Sequence, residues 1–279
     1  MTSPTDAPNA LLRVAALQLS SQENVSENLE RVDALVARAA RAGAELVVLP
    51  ECFAYMGPGE GSCALAERLG DLEAPIQRAL SRLAQRDRVA IVAGGFPERS
   101  DDPERPFNTS ACFAPSGELV TAYRKIHLFD VDLRTHGSLC ESRNMSRGSE
   151  VVVARLQGFA VGLSICYDVR FPELYRRLVD QGAEVLTVPA AFTLYTGKDH
   201  WHVLLRARAI ESQCYVVAAA QWGKHFDGRA TFGHALIADP WGAVIAEASD
   251  QIGFAIANVD RDFLREVRTR VPSLAHRRL

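Results

Sequence analysis

An α/β fold is predicted by the way strand and helix patterns alternate along the chain. Short apolar runs, typical of strands buried on both faces, alternate with segments whose apolar residues recur at helical spacing, and strands cluster later in the sequence. The 279 residues, of which 48% are hydrophobic, suffice for a full-sized core. Because no linker rich in proline, glycine or serine divides the chain, we expect a mobile leader over residues 1–10 and a single domain over residues 11–279.

The chain opens with a predicted β-α-β unit. Leu12–Leu19 has the pattern of a strand, and Asn24 can cap the helix that follows, with Glu27 three positions later completing a capping box. Gly43 supplies the left-handed residue that ends such a helix. Leu46–Leu49 is then a short apolar strand of the kind that is buried on both faces.

The remaining elements follow from the same patterns. In chain order we predict a helix over about Pro75–Arg86, a strand at Val89–Ala93, a hairpin turn at Pro115–Gly117, strands near Val151–Ala154 and Ala160–Ile165, a helix from about Pro172, a strand at Val185–Val188, a helix over about Asp199–Glu211, a strand at Tyr215–Ala220, a turn at Asp239–Gly242 and a helix from about Asp260. The segment Val131–Ser149 has no sustained period, and loops of this length are usually functional, so we predict an active-site loop.

Composition favours a small-molecule partner. The net charge is −3 without blocks of like charge, which argues against nucleic-acid binding. No apolar run is long enough to span a membrane. The six cysteines are scattered without a CxxC pattern, which indicates a reducing compartment, and we expect the cytoplasm.

Two charged residues lie where predicted strands end, at the edge at which α/β sheets bind ligands. Glu51 follows Leu46–Leu49 and Pro50, and an acid there can face a cleft, although such acids are more often helix caps or surface charges. Lys125 closes the predicted strand Leu119–Tyr123 and can supply positive charge to an oxyanion, although lysines at strand ends are usually solvated.

Cys166 carries a stronger signal. The strand Ala160–Ile165 runs into Cys166 and then into a helix near Pro172, an order that presents a nucleophile on a sharp turn. The helix N-terminus and a nearby lysine are expected to lower the pKa of the thiol, giving a thiolate at neutral pH. The alternative is a buried structural cysteine, the commonest fate of a free thiol.

The segments around these three residues resemble the signature motifs of the nitrilase (carbon-nitrogen hydrolase) superfamily in order and spacing; they are Val47–Glu51, Tyr123–Asp130 and Gly162–Glu173. The resemblance extends from about Leu11 to the C-terminus. Within the superfamily the chain is most similar to the Nit branch, and there to the deaminated glutathione amidases, through His200–Glu211, Gln213–Gln221 and Asp239–Gly242.

The resemblance implies a four-layer α-β-β-α sandwich, a homodimer, and no metal or organic cofactor. It implies that Cys166 attacks an amide carbon to form a thioester with release of ammonia or amine, that Glu51 acts as the base, and that Lys125 stabilises the oxyanion together with the backbone N–H of Tyr167. Glu141, in the long loop, matches the second glutamate that these enzymes place beside the lysine.

The expected substrate is a small amide that bears carboxylates, with deaminated glutathione as the first candidate. Arg170 is the predicted carboxylate-binding residue, unless it pairs with Glu173 or Asp168 and only braces the turn. We also assign Phe192 and Thr193 to the substrate-binding set. A second anion contact is expected from the long loop, which carries Arg134, His136 and Arg143.

Two other functions remain open from sequence. One is an omega-amidase that acts on 2-oxoglutaramate-type substrates, and the other is a catalytically silent scaffold with the same fold. A metal site is not predicted, because His200 and His202 lie two positions apart and therefore on different sides of a helix. Arg206 and Arg208 are equally consistent with carboxylate binding and with ordinary ion pairs.

Overall fold

Two stacked β-sheets form the centre of the molecule in the computed structural model, which describes residues 10–132 and 138–278. The strands are β1 Leu11–Leu19, β2 Leu46–Val48, β3 Ala90–Glu98, β4 Phe107–Phe113, β5 Leu119–Arg124, β6 Asp130–Asp132, β7 Ser138–Cys140, β8 Val153–Leu156, β9 Phe159–Leu163, β10 Val185–Thr187, β11 Tyr215–Ala218, β12 Ala220–Lys224, β13 Ala230–Phe232, β14 Leu236–Ala238, β15 Val244–Glu247 and β16 Gly253–Asp260. The α-helices are α1 Val25–Arg41, α2 Gly59–Ala64, α3 Pro75–Asp87, α4 Pro172–Asp180, α5 Leu194–Ser212 and α6 Arg261–Arg270.

The first sheet has the order β13-β12-β1-β2-β3-β4-β5, with β16 also paired to β1, and the second has the order β15-β14-β11-β10-β9-β8. In the first sheet β1, β2 and β3 are parallel, whereas β4 runs antiparallel to both β3 and β5. Strands β2 and β5 therefore end at the same edge of that sheet. In the second sheet β9, β10 and β11 are parallel.

Alternate side chains of β1 point into two different hydrophobic cores, which shows how the layers of the molecule are stacked. Val14 and Ala16 of β1 lie in one hydrophobic core together with Val161 of the second sheet, whereas Ala15 and Leu17 lie in another core with the buried residues of α1 and α3. The first sheet thus packs against the second on one face and against helices on the other. Residues of α4 and α5 pack with the second sheet. The predicted four-layer α-β-β-α sandwich is confirmed.

Local signals placed several elements correctly. The Asn24 side chain accepts a hydrogen bond from the Glu27 N–H at 3.3 Å and caps α1; the Glu27 carboxylate bonds the Asn24 side-chain amide at 3.0 Å. The turns predicted at Pro115–Gly117 and Asp239–Gly242 connect β4 to β5 and β14 to β15. The Asp260 side chain caps α6.

Three expectations are corrected. The apolar segment Tyr215–Ala220 belongs to two strands in different sheets, β11 and β12. The sequence does not show the crossing at Ala219, because the whole segment is buried and uniformly apolar. Helix α5 begins at Leu194 rather than near Asp199, since Thr193 caps it. The long loop contains part of the β6–β7 hairpin and a 3-10 helix over Glu141–Arg143, while residues 133–137 and most of the predicted leader lie outside the described residues.

Across the residues that the structure describes, no helix combines the length and apolar composition needed to cross a bilayer.

Gly94 allows the segment just before Glu51 to lie close to β3, and we expect Gly94→Ala to destabilise the protein. A Cβ atom there would lie 2.0 Å from the carbonyl oxygen of Pro50, and backbone cannot move aside cheaply. We expect a loss of about 2 kcal/mol or more in the free energy of unfolding, measured by urea denaturation. Gly253→Ala is the control, because Gly253 also lies in a strand and has open space around it. Equal losses in both variants would contradict the steric explanation.

Candidate active site

The ends of β2, β5 and β9 bring Glu51, Lys125 and Cys166 together between the two sheets. Glu51 and Lys125 follow strands of the first sheet, whereas Cys166 follows a strand of the second. Strand β5 is the edge strand of the first sheet, and Tyr123 is its buried residue.

Lys125 is the centre of a buried cluster of charges. Its Nζ lies 2.8 Å from Glu51 Oε1 and 2.8 Å and 3.1 Å from the two oxygens of Glu141. Only 1% of Lys125 is exposed. Burial by itself lowers the pKa of the ammonium, but the charges of Glu141 and Glu51 outweigh it and hold that pKa well above its ordinary value. Lys125 is therefore a permanent cation between two carboxylates.

Four groups converge on the Glu51 carboxylate. Besides Lys125, it accepts hydrogen bonds from Asn108 Nδ2 at 2.9 Å and from the Ala191 N–H at 3.0 Å, and its charge acts on the neighbouring Cys166 thiol. Burial raises the pKa of Glu51, but the Lys125 charge and the hydrogen bonds from its partners together outweigh this effect, so the net shift of the pKa is downward. Glu51 is therefore an ionised carboxylate beside the thiol.

Glu141 reaches the cluster from the long loop. The residue begins the 3-10 helix after β7, and its Oε2 accepts a 2.7 Å hydrogen bond from the Phe129 N–H. Asn108 Nδ2 bonds Glu141 Oε1 at 3.1 Å as well as Glu51. Asn108 thus sets the spacing of the two carboxylates around Lys125.

Asn108 was not identified from sequence. It opens a run of three polar residues, Asn108-Thr109-Ser110, that does not single out any one of them, and only its burial and its bonds to two glutamates reveal its role. Gly95 is a second unrecognised residue: a Cβ there would lie 2.0 Å from Asn108 Oδ1. A glycine pair within an otherwise apolar strand, Gly94-Gly95, is the one signal that indicated a close approach of other groups.

Cys166 lies on a sharp turn with φ +48°, a left-handed conformation that is costly for a side-chain-bearing residue. Its N–H bonds the Pro189 carbonyl at 2.8 Å, which fixes the turn against the loop after β10. Among the described residues, no group accepts a hydrogen bond from the next N–H, that of Tyr167. The strand-turn-helix order predicted for Cys166 is present, with a 3-10 helix over Cys166–Arg170 before α4.

The expectation of a resting thiolate is wrong. Burial raises the pKa of the Cys166 thiol well above its ordinary value, and the charge of Glu51 raises it further. Lys125 lowers it, but the two glutamates already balance the lysine charge. The thiol is therefore protonated at neutral pH, and a base must remove its proton.

Asp168 connects the lysine segment to the cysteine turn. Its carboxylate accepts hydrogen bonds from the Tyr123 hydroxyl at 2.7 Å and from the Ile165 N–H at 2.8 Å, and it pairs with His127 Nδ1 at 2.7 Å. The imidazole of His127 also stacks on Phe171, with ring centres 3.7 Å apart. Asp168 is fully buried, and its hydrogen bonds join β5 and the segment that follows β9 next to the site.

Arg170 pairs with neither Glu173 nor Asp168, against the structural alternative considered from sequence. Its guanidinium lies 3.3 Å from His200 Nδ1 and over the rings of Phe192 and Tyr167, at 5.1 Å and 5.8 Å. In the part of the chain that is described, Arg170 has no carboxylate partner. Burial lowers the pKa of the Arg170 guanidinium. A carboxylate beside it would compensate for this loss of hydration.

The other predicted residues have ordinary structural contacts. The Thr193 hydroxyl caps α5, and Phe192 packs against Trp201. Arg206 bonds a backbone carbonyl, that of Gly242, and Arg208 pairs with Glu211.

Cys52 and the charged residues of the long loop are the remaining groups to be placed. Burial raises the pKa of the Cys52 thiol, and Glu51 raises it further, which suits a packing residue. Arg143 is exposed, whereas Arg134 and His136 lie outside the described residues.

Comparison with known proteins assigns the family. A family model described as carbon-nitrogen hydrolase matches residues 13–269. A deaminated glutathione amidase of Synechocystis sp. is 48% identical over 266 residues, which cover 94% of this chain and 97% of that protein. The deaminated glutathione amidase of Homo sapiens is 42% identical over 272 residues, covering 95% and 82% of the two chains.

Solved structures agree with this assignment. The NitFhit protein of C. elegans superimposes with a TM-score of 0.90 at 36% identity, covering 98% of this chain and 66% of that one. Saccharomyces cerevisiae Nit3, described as a member of branch 10 of the nitrilase superfamily, has a TM-score of 0.87 at 31% identity, covering 99% and 100%. An amidase mutant from Nesterenkonia sp., with acrylamide added to its active-site cysteine, has a TM-score of 0.77 at 25% identity and covers 94% and 98%. The chain therefore belongs to the carbon-nitrogen hydrolase family, in the Nit branch of the nitrilase superfamily, and is a carbon-nitrogen hydrolase.

Proposed function

We propose that the protein is an amidase that cleaves a carboxylate-bearing amide through a thioester on Cys166. The observation that carries this proposal is the position of the ionised Glu51 carboxylate beside the Cys166 thiol, with Lys125 on the same carboxylate. A protonated thiol beside a base is ready to react only when a substrate carbonyl is in place.

Acylation begins when the Cys166 sulfur attacks the amide carbon while its proton passes to Glu51. The carbonyl oxygen becomes an oxyanion, and the lysine charge and the Tyr167 N–H stabilise it. Glu51, now a carboxylic acid, donates the proton to the amide nitrogen as the C–N bond breaks. Ammonia or an amine leaves, and the acyl group remains on the sulfur as a thioester.

Deacylation repeats these steps with water. Glu51 takes a proton from a water molecule, whose oxygen attacks the thioester carbon. The C–S bond breaks, Glu51 returns the proton to the sulfur, and the free acid leaves. Glu141 and Asn108 are positioning residues in this scheme, since they hold Lys125 and Glu51 in place through the bonds described above.

The roles of the two thiols near Glu51 are separable by mass spectrometry. In acid-quenched samples with an amide substrate, we expect an acyl adduct on the wild-type chain and on Cys52→Ala, the matched control. Cys166→Ala should carry no adduct and release no amine or ammonia, because it lacks the nucleophile. An adduct on Cys166→Ala would overturn the assignment of the nucleophile.

We propose deaminated glutathione as the substrate, because it combines an amide with free carboxylates. The relatives reported above that carry its name support this choice. Arg170 supports it independently, since this half-buried cation beside the cysteine turn has no carboxylate partner among the described residues. A substrate carboxylate would provide that partner through two parallel hydrogen bonds.

Arg170→Lys tests the substrate class. We expect kcat/KM for deaminated glutathione to fall about 10- to 100-fold, as for the loss of a charge-assisted hydrogen bond, because lysine does not reproduce the planar fork. For a neutral amide of similar length the change should be less than about threefold. Arg31→Lys, on the exposed side of α1, is the control variant. Equal losses for both substrates would show that Arg170 has only a structural role, and faster turnover of the neutral amide by wild type would favour a general aliphatic amidase.

We further propose that two copies of the chain associate through α5. This helix carries Val203 and Ile210 with 67% and 50% of their surfaces exposed, and Trp241 beside them is 56% exposed. Val203 and Ile210 are seven residues apart and therefore lie on the same face of α5. The segment that carries Trp241 adjoins Ile210, since a Cβ atom on Gly242 would lie 2.4 Å from the Ile210 side chain. Apolar side chains grouped in this way on a charged molecule are typical of a subunit interface.

Sedimentation equilibrium tests the dimer. Wild-type protein should show twice the 30.5 kDa mass of one chain. Ile210→Glu should give the single-chain mass with unchanged secondary structure, because it places a charge in the apolar contact. Val120→Glu, at an exposed apolar position on β5, should remain dimeric. A wild-type protein that sediments as one chain would refute the proposal.

A further inference from the structure

Outside the catalytic cluster, three side chains from separate elements meet at one point. His202 comes from α5, His234 from the segment between β13 and β14, and Glu247 from the end of β15. One ligand atom from each lies within 4.8 Å of the others. His202 Nε2 is 2.8 Å and His234 Nδ1 is 2.7 Å from the same atom, Glu247 Oε1. Two imidazoles that share one carboxylate oxygen place two nitrogens and an oxygen around a small volume.

We propose that His202, His234 and Glu247 bind one divalent transition-metal ion of the zinc class. Two imidazole nitrogens and one carboxylate oxygen are the donor set that zinc accepts, with a fourth position left for water. Magnesium and calcium favour oxygen ligands and do not suit this set. All three side chains are partly exposed, so an ion can enter from solvent.

The surroundings of His234 match those of a metal-bound imidazole. Its second ring nitrogen, Nε2, lies 3.3 Å from Asp250 Oδ1. A carboxylate in that position accepts a hydrogen bond from the Nε2–H and so leaves the Nδ1 lone pair free for the proposed ion, which is the usual arrangement around a ligating histidine.

The two rings are also held before any ion binds. Phe232 stacks on His234 at 4.4 Å and meets the edge of His202 at 5.9 Å. The backbone of His234 has φ +57°, and the Trp201 indole N–H bonds its carbonyl at 2.8 Å. Zinc requires the donor atoms to be roughly 3.3 Å apart, so the nitrogens need to move from Glu247 by only about 0.5 Å.

Metal titration of untagged wild-type protein tests the site. We expect one equivalent of Zn²⁺ to bind by calorimetry and to raise the melting temperature. Co²⁺ in its place should give the visible bands of a tetrahedral ion without the thiolate-to-cobalt charge-transfer band, which separates this site from the active-site cysteine.

Matched variants give the decisive comparison. His202→Ala and Glu247→Gln should each weaken Zn²⁺ binding by about 100-fold or more, and Asp250→Asn by about 10-fold. Glu247→Gln is informative because an amide oxygen still accepts hydrogen bonds from both imidazoles, so a purely structural cluster would tolerate it. His276→Ala, at an exposed histidine near the C-terminus, should bind as wild type does. Wild-type protein without this one-equivalent binding, or variants with unchanged affinity, would refute the proposal.

Discussion

The buried ammonium of Lys125 is the constraint on which the rest of the site depends. A charge removed from water is tolerated only when partners compensate for its lost hydration, and Lys125 has two carboxylates for that purpose. Those carboxylates are themselves compensated by backbone N–H groups and by Asn108. Each group in the cluster is satisfied only if the others are present, so the fold has to assemble it as a unit.

This mutual dependence explains the contact between the sheets. Glu51 and Lys125 follow strands of the first sheet and Cys166 follows a strand of the second, so the proposed reaction requires a fixed distance between two layers that are otherwise held by apolar packing. Apolar contacts alone allow small slides, whereas the hydrogen bonds of Asp168 to Tyr123 and Ile165 have a defined length and direction. The buried Asp168 carboxylate thus provides directional hydrogen bonds between two sheets that otherwise contact each other through apolar side chains.

Sequence reasoning succeeded where a local pattern determines the structure. Glu51 and Cys166 come shortly after apolar strands, and this local pattern is sufficient to predict their position at strand ends. It failed where the decisive partner is distant in sequence. Asn108 looks like a solvent-facing strand residue until β2 and the long loop are placed beside it. The pKa of the Cys166 thiol was predicted to be lowered by the helix N-terminus and Lys125, but burial and the neighbouring Glu51 carboxylate raise it instead.

The crossing of the chain at Ala219 has a consequence for biosynthesis. Strand β1 is made first, yet its neighbours in the sheet include β12 and β16, which emerge from the ribosome some two hundred residues later. The Gln221 side chain, just after the crossing, donates a hydrogen bond to the carbonyl oxygen of Glu51 at 3.0 Å. A nascent chain that already contains Glu51, Lys125 and Cys166 but ends before β12 therefore lacks a completed first sheet, and contacts this distant in sequence form slowly. The backbone of Glu51 reaches its final set of hydrogen bonds only after Gln221 has been synthesised.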